Sequence, residues 1–295
     1  MPRRIHQNAE LTGPILNEST MVPIRHVVSL LTLLGGLTTA AAHEQLPDGG
    51  TARHQGFGAV EAWYAQPTTR YQHGVLGDAV EGGSLVAIDH LGQQFEIVLP
   101  TSQVFEDITP RVVDLDGDGR NEVVTIRSGV LVGASVVVYA IVDGRLIERA
   151  ATAPIGQPNR WLSIAGVADF RGDSTRQIAI VKTPHIGGVL ELLALRGDEL
   201  VSLYSPRSGY STHVIGSRIL SLAGTGDLDG NGTAELVLPD QSRRRLVVLT
   251  FGDAIAELFT QDLPSRIDAA IQILPKGKIS VPLVAGRPVT IDARP

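Results

Sequence analysis

The chain has 295 residues, 43% hydrophobic and 19% charged, with a formal net charge of −6 and an isoelectric point near 5.7. A chain of that length buries a large core, and its balance of residues excludes general disorder, while the acidic surplus excludes nucleic acid or an anionic membrane as a bulk electrostatic partner. Cysteine is absent, so disulfides, thiolate metal sites and a cysteine nucleophile are excluded too.

From Met21 the chain has a three-part targeting layout: basic Arg25, an apolar stretch over residues 27–37, and the small residues Ala40, Ala41 and Ala42. This predicts a signal peptide over 21–42, cleaved after Ala42, with residues 1–20 lying upstream of the true start at Met21. The apolar stretch falls short of the roughly 20 residues a bilayer span needs, so no transmembrane segment is expected. The mature protein is expected to be periplasmic or secreted, where calcium is abundant enough to fill weak oxygen sites. Residues 43–57 read as a linker and 58–295 as one domain.

Within that domain, Gly (32) and Pro (17) are plentiful and helix-period stripes are scarce, which predicts an all-β fold of short strands and turns. Two loops carry the clearest chemistry. In the first, Asp114, Asp116, Asp118 and Glu122 fall at loop positions 1, 3, 5 and 9, with Gly119 at 6. The second has Asp227, Asp229, Asn231 and Glu235 at the same positions, with Gly232 at 6. Calcium takes six to eight hard oxygens, and alternating carboxylates in a tight turn converge on one point. Arg120 and Thr233, at position 7, are expected to contribute backbone carbonyls. An EF-hand would require a Glu at position 12, where Thr125 and Leu238 stand, and helical rather than strand-like flanks. A third segment, Asp169 to Gln177, aligns with these two but has Arg171 and Gln177 at ligand positions and is expected to bind calcium weakly or not at all.

These strand–loop–strand segments resemble the FG-GAP and VCBS repeats, strongly over 111–126 and 222–238 and partially over 165–181. The resemblance implies a β-propeller with Ca2+ held by the residues named above. The first loop, with four carboxylates, is expected to bind more tightly than the second, with three and an amide.

The leading Asp of the three loops recurs at 114, 169 and 227, a period suited to one four-stranded blade. After each loop three strands are expected: EVVTI, SVVVYAIV and LIERAAT; QIAIVK, VLELLAL and ELVSLYS; ELVLP, RLVVLTF and IAELFT. Arg followed by an apolar residue marks blade starts near 70, 105, 160, 218 and 266, which gives five blades. Because the last has room for three strands only, GAVEAWYAQP (58–67) is expected to supply its fourth and so close the ring.

In an up-and-down blade the calcium loops share one face, and the opposite face gathers Arg160, Trp161, His185, His213 and Arg218 as candidate ligand-binding residues. Arginine beside aromatic and imidazole groups suits a carboxylate, phosphate or acidic sugar. No nucleophile elbow, P-loop, dinucleotide-binding glycine pattern or HExxH occurs, and Arg171-Gly172-Asp173 falls inside the altered third loop. The expected function is an exported calcium-binding scaffold or binding module, calcium structural, with an acidic oligosaccharide, small anion or protein as partner. The alternative is a propeller enzyme, a lyase or hydrolase on anionic carbohydrate, distinguished by convergence of His185 and His213 in one pocket.

Overall fold

A computed structural model describes residues 44–284 and 286–294, all of which belong to one compact unit spanning 42–295. The expected signal peptide and residues 1–20 lie outside the described residues. Among these, every regular element is a strand, and no helix is long and apolar enough to cross a membrane.

The strands form antiparallel up-and-down runs taken in chain order. A nine-stranded sheet holds two of them: Ala52–Arg53, Phe57–Thr68, Glu81–Asp89 and Gln94–Val98, then Arg111–Val113, Arg120–Gly129, Gly133–Val142 and Arg145–Ala151. The short strand Gln103–Phe105 joins the two runs. Leu162–Ala168, Gln177–Lys182, Val189–Arg196 and Glu199–Ser202 form the next sheet, with Arg207–Ser208 added at one edge. After it come Gly224–Gly226, Glu235–Pro239, Arg245–Phe251 and Ile255–Asp262, and finally the three strands Gln272–Leu274, Lys278–Val281 and Val289–Asp292.

The apolar runs in the sequence are near-continuous because these sheets are covered on both faces, and adjacent residues of a strand feed opposite cores. Val123 and Val137 pack with Tyr64 and Phe105 toward the first run, while Val124, Val136 and Val138 pack with Trp161, Ile178 and Ile180 toward the next sheet. The pattern repeats at Ala179 and Val181, which meet Leu236 and Leu238, and at Val237 and Val248, which meet Ile279 and Val281. Four apolar clusters thus lie between consecutive runs, a propeller-like stacking. Hairpin chemistry agrees with it: Asp143 and Gly144 both have positive φ (48° and 69°), as a tight two-residue turn between right-twisted strands demands.

Three sequence expectations are overturned here. The segment 58–67 does not complete the last sheet, because Phe57–Thr68 pairs along its length with Glu81–Asp89, and with Ala52–Arg53 and the start of Arg120–Gly129 on its other side. Its pattern resembled an outer strand, yet Ala62, Tyr64 and Ala65 are fully buried, as an interior strand requires. Nor does a blade open at Arg70, which lies in the loop between these strands. The preceding stretch, read as linker, bridges Gln45 to Ala65 and buries Leu46.

Candidate functional site

The three aligned loops share one backbone scaffold. In each, the leading Asp accepts from the amides of positions 4 and 6: Asp114 from Gly117 and Gly119, at 2.9 and 3.0 Å, Asp169 from Gly172 and Ser174, at 2.6 and 3.0 Å, and Asp227 from Gly230 and Gly232, at 2.7 and 3.0 Å. The position-5 side chain accepts the position-7 amide: Asp118 from Arg120, Asp173 from Thr175, Asn231 from Thr233. The position-9 side chain reaches back to the position-2 amide: Glu122 to Leu115 at 3.0 Å, Gln177 to Phe170 at 2.9 Å, Glu235 to Leu228 at 2.7 Å. Gln177 does this as well as either Glu, so the turn keeps its shape without a full set of carboxylates.

What differs is the charge inside the loop. One oxygen each of Asp114, Asp116 and Glu122, and of Asp227, Asp229 and Glu235, lie within 4.8 Å of one another. In the first loop a guanidinium sits against them: Arg149 Nη2 is 2.6 Å from Asp116 Oδ2 and its Nη1 2.7 Å from Glu122 Oε1. In the last, Glu235 is fully buried and its Oε1 has no hydrogen-bond partner. A buried carboxylate oxygen left in this state costs free energy unless a cation meets it, and three converging hard oxygens suit calcium. Arg149 escaped the sequence reading because it comes from the outermost strand of its run, 27 residues beyond Glu122.

The second constellation is a cavity of about 390 Å³ lined by His73, Arg160, Trp161, His185, Ile186 and Ile215 among others. Three of the five expected ligand residues, Arg160, Trp161 and His185, therefore share one wall system. Trp161 stacks near-parallel to His185 at 6.2 Å and anchors through Nε1, which donates to the carbonyl of Glu106 at 3.0 Å. His213 is buried behind His185, and a hydrogen bond of 2.9 Å joins His185 Nε2 to His213 Nδ1. Since His213 Nε2 must donate to the Ser217 carbonyl at 2.7 Å, its Nδ1 is the acceptor, and His185 Nε2 donates to it. His185 Nδ1 then keeps its lone pair. Burial, with the neighbouring His213 and His73, pushes the His185 pKa down to about 4, and burial lowers that of His213, so both rings are neutral at pH 7.

Among the described residues the Arg160 guanidinium makes one hydrogen bond, to the carbonyl of neighbouring Asn159 at 3.2 Å, and has no acidic partner. Arg218 is placed differently: it is engaged by Asp48, Asp78 and the Leu76 carbonyl and does not line the cavity. Its position nine residues before Asp227, matching Arg160 before Asp169, suggested a shared role that the two do not have. A wall residue the sequence did not single out is His73, whose Nδ1 lies 2.6 Å from Oε1 of the fully buried Glu106. No motif joins residues 33 apart in loops of different runs, so only the fold reveals the pair.

No family model and no curated protein matches the chain. Solved structures do resemble it. One is Sqt1 of Saccharomyces cerevisiae, with a TM-score of 0.50 and 14% identity over 85% of this chain and 59% of that one. Another is the exotype rhamnogalacturonan lyase YesX, with a TM-score of 0.45 and 13% identity over 84% of this chain and 57% of that one. This chain thus spans under two thirds of either protein, and at such identities the likeness is one of fold alone.

Proposed function

We propose that the protein is an exported, calcium-stabilised propeller of the FG-GAP/VCBS type that binds an anion, and that the anion sits in the cavity at Arg160. The observation that carries this is the state of Arg160: a guanidinium on a cavity wall with no acid among the described residues to neutralise it, on a protein whose net charge is negative. An arginine fork matches a carboxylate or phosphate in two parallel hydrogen bonds, and His185 Nδ1 is free to accept a ligand hydroxyl. A uronate, which presents both groups, meets these requirements. Calcium is structural in this reading, held by Asp227, Asp229 and Glu235 with Asn231 and the Thr233 carbonyl in support; when bound it cross-ties the turn between the first two strands of that sheet. Reading the nine-stranded sheet as two blades makes five in all, the last with three strands.

Calorimetric titration with galacturonate oligomers and with inorganic phosphate tests the anion site. Arg160→Ala is expected to weaken binding by about 1 to 3 kcal/mol, the worth of a charged hydrogen bond, with melting unchanged. Absence of binding by the parent protein, or equal binding by the variant, would sink it.

A second reading is favoured by the 2.9 Å contact between His185 and His213. Their convergence, with His73 oriented by a carboxylate, is the arrangement a lyase or hydrolase on anionic carbohydrate would need in a proton acceptor. Product formation from the same oligomers, lost in His73→Gln or His185→Ala with binding retained, would establish it.

A further inference from the structure

We propose that the three copies of the acidic loop have parted in how they are neutralised: Arg149 is the resident cation of the first, the second has lost the carboxylates of positions 3 and 9 to Arg171 and Gln177, and the last alone takes a calcium ion. The inference rests on the calcium reading above and reverses the expectation that the four-carboxylate loop binds more tightly.

Equivalent positions in the first and last copies carry different side chains. Opposite Val138 and Tyr139 the outermost strand of its run is bulged: Tyr139 pairs with Glu148 and Val138 with Ala150, which leaves Arg149 as the extra residue. Two sheets on, the same irregularity recurs, with Leu249 paired to Glu257 and Val248 to Phe259, leaving Leu258. A bulge re-aims its extra side chain. At the first copy that side chain is an arginine spanning Asp116 and Glu122, with a third, longer contact from Nε to Asp198 at 3.4 Å. At the last it is a half-buried leucine packed against the apolar cluster that contains Leu246 and Ile279.

The consequences for a divalent ion differ accordingly. To enter the first loop, calcium must take the carboxylates from a guanidinium that is mostly buried, and any position within 2.3–2.6 Å of their oxygens lies within a few ångströms of that fixed positive charge. Four carboxylates there do not mean a stronger calcium site, because two already hold an ion pair. In the last loop Glu235 Oε1 is buried without a partner, and among the described residues nothing cationic stands in. The middle loop shows the third outcome: Gln177 replaces the Glu and bonds to Phe170 N and Thr175, while Arg171 turns outward to Tyr204 and the Gly252 carbonyl.

The test is calorimetric titration of the chelator-stripped protein with calcium chloride. One ion per chain is expected, lost in Asp229→Asn and in Glu235→Gln and retained in Asp116→Asn. Arg149→Leu, which copies Leu258, is expected to raise the count to two. Two ions in the parent, or one that Asp116→Asn abolishes and Asp229→Asn spares, would overturn the assignment of Arg149 while leaving calcium binding intact. No calcium uptake by the parent would overturn the assignment and the calcium reading together. Should Arg149→Leu fail to fold, the Asp116→Asn and Asp229→Asn pair still decides.

Discussion

Arg218 and Asp78 pair at 3.1 Å across 140 residues of chain, the arginine Nη1 also donating to the Leu76 carbonyl at 2.8 Å. The loop leading into the fourth run is thereby tied to the loop inside the first, with Gly216 N donating to the Val75 carbonyl at 2.8 Å as a second link. Val75 and Leu76 are buried in the apolar cluster around Trp161, so the tie closes a lid over that core.

Arg218→Ala should therefore cost stability rather than ligand affinity. Arg218 is about one-third exposed and Asp78 nearly half, which discounts their Coulomb energy, but the carbonyl bond adds to it. A loss of about 1 to 2 kcal/mol is expected in denaturant unfolding, with anion binding at Arg160 unchanged. Loss of binding without loss of stability would return Arg218 to the ligand site.

A second prediction concerns the N-terminal boundary. A chain beginning at Arg70 loses the strand Phe57–Thr68, and with it Tyr64, which stacks on Phe105 at 5.1 Å and donates to buried Asp107 at 2.9 Å. Asp107 would keep only Arg111 and the amide of Ile108 as side-chain partners. Removing an interior strand opens two apolar faces at once, so this chain is expected to be insoluble or to lack a cooperative melt. A protein starting at Arg70 that melts like the parent would contradict the pairing with Glu81–Asp89.

Strands apolar on both faces were legible from composition, and those with an exposed face, such as Arg145–Ala151 and Ile255–Asp262, from their place after a hairpin turn. Gln177–Lys182, Glu235–Pro239 and Arg245–Phe251 fall where their composition put them. The loops were legible because backbone amides at fixed offsets select Asp at position 1 and Gly at position 6. What the sequence did not carry was neighbourhood. The run 58–67 has the pattern of a strand but no mark of which strand it adjoins, and closure of the ring was inferred from length alone. Arg149 and His73 act through Glu122 and Glu106, partners that only tertiary pairing brings near. Arg160 and Arg218, alike in spacing, separate once Asp48 and Asp78 are seen beside one of them.

The last prediction turns on a carboxyl group buried without full satisfaction. Glu81 is 2% exposed, its Oε1 has no hydrogen-bond partner, and burial followed by the charges of Glu106, Asp78 and Asp107 pushes its pKa up to about 9. The folded protein thus holds Glu81 protonated at pH 7, whereas the unfolded chain ionises it near 4.5. For a carboxyl raised on folding, its full contribution to stability exists below pH 4.5 and is lost progressively as pH rises toward 9, because over that window the folded state binds a proton the unfolded state has released. Replacing Glu81 with glutamine removes this penalty, retains the shape, and turns an N–H toward the same acidic neighbours. Glu81→Gln is therefore expected to stabilise the protein at pH 7 by about 2 to 3 kcal/mol, or about 5 to 10 °C in a domain of this size. The gain should shrink to nothing below pH 4.5 and grow as pH is raised toward 9. Melting temperatures of both proteins from pH 4 to pH 9 measure it directly. A variant no more stable than the parent at any pH in that range would mean that Glu81 is ionised and paired in the folded protein, which removes the basis for reading this acidic cluster as a source of instability.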